Sequence, residues 1–202
     1  MTDPGQSSML LTLHAVRLLG FADTATVAQR FRQDPDNVEG LLIDAGAQGW
    51  TVSSSFSGSR GWSLTVAGRS ENERLLTEQL DSAGGQAAVM GVLADFGALN
   101  EQVVAACSRL QREWLSAGCR PGPGIDEQTR QSFTRALTSF MDLEARLAAV
   151  LPRFSGYTDR LRKAVGNAAT DPAWLTATDR DSFHRIWFEL HEDLISTLGI
   201  QR

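Results

Sequence analysis

With 202 residues, 42% of them hydrophobic, the chain can bury one large core or two modest ones and is not disordered by composition. Its net charge of −5 is divided unevenly, −1 over residues 1–69 and −4 over the rest, and no apolar run approaches the length of a membrane span. Cys107 and Cys119, the only cysteines, exclude a disulfide framework, and neither Cys-x-x-Cys nor a zinc-finger spacing occurs. The opening MTDPGQSSMLLTLHAV lacks a basic region followed by a long apolar stretch, so the expectation is a cytoplasmic protein with no membrane partner.

The first helix is predicted from Leu10, Leu13, Val16 and Leu19, which share one face, with Gly20 as its stop. His14 falls within it and reads as a packing or surface residue rather than a ligand. Asp23 is the predicted N-cap of a second helix whose buried side is Val27, Ala28 and Phe31. QDPDN then starts a third: Asp34 can accept from free backbone N–H groups, and Pro35 takes the first helical position, where its missing donor costs nothing. Val38, Leu41, Leu42 and Ala45 form the apolar face, and Gly46 and Gly49 end the run. Val52, Ser54 and Phe56 alternate, as do Trp62 and Leu64, around the loop Ser57–Gly61, so the segment predicts a β-hairpin. VAGRSENERLL begins the next helix.

Three helices followed by a hairpin is the order of a winged helix-turn-helix. The stretches DTATVAQRFRQDPDNVEGLLIDAGAQGW and WSLTVAGR, with Leu64, Thr65, Gly68 and Arg69 closing the return strand, resemble the winged-helix domain of MarR-like bacterial regulators over about residues 8–75. The resemblance implies a DNA-binding transcriptional regulator, with the third helix in the major groove and the wing near the backbone or minor groove.

The residues that would touch double-stranded DNA follow from that placement. Asp36, Asn37 and Glu39 lie early on the third helix, where Asn37 can bond an adenine edge and a carboxylate can accept from cytosine N4. Arg60, taken as the wing tip between glycines, can reach a minor groove. Arg30 and Arg32 flank the turn before the third helix and can grip phosphates, and Arg17 on the first helix can add a contact. Thr24 and Thr26 offer hydroxyls or amides at the start of the second helix. Residues 1–69 nevertheless carry five Arg against six Asp and Glu, which weakens the attraction that provides most non-specific affinity.

After residue 85 the pattern is helical throughout. Val89, Leu93, Phe96, Asn100, Val103, Cys107, Leu110 and Trp114 are spaced by alternating fours and threes, a heptad-like seam. Phe133, Ala136, Phe140, Leu143, Leu147 and Val150 make a second stripe. Tyr157, Leu161, Val165 and Ala168 make a shorter one, and Phe183, Trp187, Leu190 and Leu194 the last. SAGCRPGPGID is a loop by composition, and Asp171-Pro172 is an interruption. Asn100 is the polar exception in its seam. It either sets register between two copies or bonds a neighbour inside a monomeric bundle.

His184 and His191, seven residues apart, share a face near Glu192 and Asp193, but the four-residue step that puts two ligands on one metal is absent, so no metal is expected. A candidate ligand pocket in the bundle would use Trp114, Phe140, His184, Trp187, Phe188 and His191. No nucleophile elbow or phosphate loop is present, so no catalytic residue and no cofactor are assigned.

The expected fold is mainly α: a winged helix-turn-helix over residues 1–69 with a small β-hairpin wing, then an α-helical bundle over 70–202 for dimerisation or effector sensing. The expected function is a MarR-like transcriptional regulator acting as a homodimer on double-stranded DNA, with a small-molecule effector as a further candidate partner. The competing expectation is a winged-helix module that regulates a protein partner without binding DNA.

Overall fold

The computed structural model describes residues 4–56, 58–116 and 125–200. Its contacts divide the chain into two compact units, Met1–Ser82 with Ser196–Arg202, and Ala83–Ile195. The described residues are mainly helical, with a single antiparallel hairpin.

The first unit contains α1 (Pro4–Leu19), α2 (Thr24–Arg30), α3 (Pro35–Ala47), β1 (Thr51–Phe56), β2 (Ser59–Leu64) and α4 (Val66–Ser82). The start signals act as their chemistry predicts. The Asp23 carboxylate accepts from the backbone N–H of Thr26 at 2.7 Å, and Asp34 accepts from that of Asn37 at 3.0 Å. The effective stop for α3 is Gly49, whose φ of +75° suits glycine, whereas Gly46 stays inside the helix. Ala15, Val16, Val27, Ala28, Val38, Leu42 and Trp62 form one apolar cluster. A second joins Leu10, Leu13 and Ala45 to Leu75 and Leu76 of α4. The expected division after residue 69 therefore falls inside a helix that packs with the N-terminal unit.

The hairpin pairs Thr51 with Leu64 and Phe56 with Ser59. Its inner face carries Trp62 and Thr51, whose hydroxyl donates to the Leu42 carbonyl at 2.9 Å. Val52 consequently points outward and is half exposed. A strand-like bridge from Ala22 to Trp62 covers the other edge of β2.

The second unit contains α5 (Gln86–Ser116), α6 (Glu127–Val150), α7 (Tyr157–Asn167) and most of α8 (Phe183–Thr197), with 3-10 turns at Pro152–Phe154 and Pro172–Leu175. The buried side of α5 includes Val92, Leu99 and Ala106 besides Val89, Phe96, Val103, Cys107 and Leu110. That stripe is wider than a two-stranded coiled-coil seam and matches a helix packed inside a bundle. Cys119 and the rest of the Gly/Pro-rich segment 117–124 lie outside the described residues.

Among the described residues no helix is long and apolar enough to cross a membrane.

Candidate nucleic-acid interface

One face of α3 is buried and the other meets solvent. Val38, Leu42 and Ala45 are fully buried, while Asp36, Asn37, Gly40, Ile43, Asp44 and Ala47 are exposed. Positions three and four apart align on a helix, so Asp36, Gly40, Ile43, Asp44 and Ala47 make one continuous outward strip with Asn37 at its margin. α3 holds no Arg or Lys.

Glu39 is not part of that strip. Its carboxylate accepts from the Thr24 hydroxyl, and Thr24 Oγ1 in turn accepts from the Trp62 indole N–H at 3.1 Å. The relay joins the start of α2, the first turns of α3 and the return strand. Thr24 and Glu39 thus serve the internal geometry of the unit, a pairing fifteen residues apart that no local spacing announces. Thr26 remains exposed, and its amide hydrogen bond is the first reason that the Asp23 carboxyl is held below its ordinary value.

The arginines divide into two groups. Arg17 lies against α4 with its side chain 10% exposed and its guanidinium 2.9 Å from Glu73, so it is committed inside the unit. The Arg30 guanidinium stacks 4.5 Å over the Phe31 ring. Arg32, Arg60 and Arg69 are exposed and form no ion pair among the described residues. Arg69, at the end of the Leu-Thr-x-x-Gly-Arg phrase, is a further surface cation beyond the residues expected to touch DNA.

Arg32 closes α2 in a left-handed conformation, φ +55°, where glycine is the usual occupant. The Gln33 N–H bonds the Ala28 carbonyl at 2.9 Å and the Arg32 N–H bonds Gln29 at 3.3 Å, the two bonds of a Schellman motif. A long cation thereby stands at the tight turn between α2 and α3. Arg60 is the second residue of β2, opposite Ser55, and not a loop-tip residue; its Nε donates to Ser53 Oγ at 3.0 Å. Pairing continues to Phe56 and Ser59, so Ser59, Arg60 and Gly61, expected in the loop, belong to β2, and Gly58 before them has φ +83°.

His14 is fully buried, 3.4 Å from Asn72 Oδ1 and stacked 5.8 Å from Phe31.

The six candidate ligand residues of the helical unit do not converge on a described pocket. Phe140 and Trp187 are core residues: Trp187 stacks on Phe96 at 4.9 Å and on Phe183 at 5.7 Å and meets the edge of Phe140 at 5.8 Å. His191 tilts against Phe96 at 5.5 Å, His184 is half-buried, and Phe188 is exposed. A surface groove of about 460 Å³ lies instead along Arg109, Arg112, Glu113 and Ser116, next to the half-buried Trp114 but without any of the six among these lining residues.

Asn100 accepts from the Trp187 indole N–H at 3.0 Å, which is the intramolecular alternative for that residue. Asp193, read from sequence beside Glu192 as a carboxylate near two histidines, is fully buried. It accepts from Arg153 and, at 2.9 Å, from the Tyr157 hydroxyl. One helical turn earlier, Glu189 takes both Nη groups of Arg160 at 2.8 Å. This pair of carboxylates four residues apart clamps α8 to the segment 153–160 and explains two buried acids without a metal.

Compared with protein-family models, with curated proteins and with solved structures, the chain matches none.

Proposed function

We propose that the N-terminal unit is a winged helix-turn-helix that binds double-stranded DNA, and that the chain is a dimeric transcriptional regulator of MarR-like type. The observation that carries this reading is the outward strip of α3. It is a solvent-facing helix edge on a rigid apolar base, with Arg32 at the turn before it and Arg60 on the adjoining hairpin. A major groove about 12 Å wide admits such a helix, while guanidinium groups at its flanks can meet the phosphates. The helical unit would supply the contact between copies, and a small-molecule effector would act by favouring one spacing of the paired helices.

A second reading is a regulator that docks a protein through the same strip. The observation favouring it is charge: residues 1–82 hold six Arg against ten Asp and Glu, and both Arg17 and Arg74 are already ion-paired. Titrating fluorescent fragments of the source genome with the full chain at several salt concentrations separates the two. Under the DNA reading, log affinity falls linearly with log salt, and Arg60→Ala lowers that slope by about 0.9 if it removes one phosphate contact. Absence of salt-dependent binding at low ionic strength leaves the protein-docking reading.

A further inference from the structure

We infer that the outward aspartates of α3 take amino groups of the major groove and disfavour guanine at the positions they face. This rests on the DNA-binding reading above and goes beyond it by assigning the base chemistry. The polar side chains on or beside the outward strip are Asp36, Asn37 and Asp44, all exposed. None of the three side chains has a hydrogen bond or ion pair with another described residue. Glu39, which would otherwise add a fourth carboxylate, is turned away to Thr24. At neutral pH a carboxylate only accepts, so the strip offers acceptors from both aspartates and, from Asn37, one acceptor and two donors.

The major groove contains two kinds of hydrogen-bond donor, cytosine N4 and adenine N6. Guanine shows only acceptors there, O6 and N7, and the Arg or Lys that ordinarily satisfies them is missing from α3. An aspartate over guanine therefore sets acceptor against acceptor in a partly dehydrated groove, while over cytosine it gains a charge-assisted bond.

Ile43 adds a second selector. It is 56% exposed at the middle of the strip, between Gly40 and Ala47, which are too small to hold the helix away from the groove floor. An apolar side chain in that position meets the C5-methyl group of thymine. The same carboxylates repel the phosphates, so discrimination comes with weak non-specific binding rather than with high overall affinity.

The test uses the full chain and a duplex enriched from its own genome or from a randomised pool. With the wild-type chain, replacing the contacted cytosine by guanine weakens binding about tenfold or more. Asp44→Asn and Asp36→Asn add donors and remove charge: each strengthens binding to unrelated duplex, and at least one erases the cytosine-over-guanine preference. Replacing thymine by uracil in the DNA, which leaves the protein untouched, weakens the wild type several-fold and leaves Ile43→Ala unchanged. Salt-sensitive binding whose base preference survives both aspartate variants, or a site at which the exchange of cytosine for guanine at each position facing Asp36 and Asp44 leaves affinity unchanged, overturns this inference while the DNA reading stands. No binding to any duplex at low ionic strength overturns both.

Discussion

Gly68, in the first turn of α4, lies under the carbonyl of Trp50: a Cβ at position 68 would stand 1.9 Å from that oxygen and 2.8 Å from its carbon. Thr65 anchors the same junction. Its hydroxyl bonds the Gly49 carbonyl at 2.6 Å and receives the Gly68 N–H at 3.0 Å, capping α4. The Leu-Thr-x-x-Gly-Arg phrase thus has a physical meaning, a cap and a close backbone approach that fix where the return strand becomes helix. Gly68→Ala is expected to destabilise the chain by about 1–3 kcal/mol, because the clashing atoms are backbone. Gly40→Ala is the control. Nothing lies within 4 Å of a Cβ at that helical position, so it should stabilise by about 0.5–1 kcal/mol. Denaturant midpoints at constant slope measure both.

Arg32 holds its left-handed conformation at an energetic cost that glycine would not incur. Arg32→Gly should raise stability by about 1 kcal/mol. Under the proposed function it should also weaken DNA binding, since it removes a flanking cation. A variant that is more stable and binds as well as the wild type would remove Arg32 from the interface.

The Trp62–Thr24–Glu39 relay predicts that Thr24→Val is costly although the side chains are similar in shape. It leaves the indole N–H and a part-buried carboxylate without their shared hydroxyl. The expected loss is about 1–3 kcal/mol, read by thermal or chemical denaturation. Thr26→Val, at an exposed position whose backbone N–H still reaches Asp23, should change stability far less.

Because Asn100 accepts from Trp187 within the chain, Asn100→Leu should lower stability by about 1–3 kcal/mol and leave the oligomeric state unaltered. Sedimentation of the variant at several concentrations distinguishes this from a register-setting role, in which the number of associated copies would change.

Burial pushes the Cys107 thiol from its ordinary value of 9.0 up to about 12. The folded chain thus holds this proton at a pH where the unfolded chain releases it. The associated stability is present below pH 9.0 and declines as pH rises toward 12. In a Cys119→Ser background, Cys107 should react with a thiol reagent at pH 8 only when the chain is unfolded. Rapid reaction of the native protein would contradict the burial.

Much of the local architecture follows from residues close together in sequence. Asp23, Asp34 and Pro35 start helices because capping and the missing proline donor are local chemistry, and Val52 to Leu64 forms a hairpin because alternation and a Gly-rich turn are too. The amphipathic stripes of the second half likewise specify helices before any packing is considered. The finer register of those elements was less legible. Arg60 is a strand residue and Val52 faces outward, since edge pairing with Ala22 and the Thr51–Leu42 bond choose the phase of the strands.

Only the tertiary structure decided which polar groups are left for a partner. Arg17 meets Glu73, Glu39 meets Thr24, Asn100 meets Trp187, and Asp193 meets Arg153 and Tyr157, at separations from 15 to 87 residues. Burying a charge or an amide costs more than leaving it in water unless a partner is present, and the partner is whatever folding brings alongside. A sequence reveals which groups need satisfying; their distance in space, which determines who satisfies them, is a property of the packed chain.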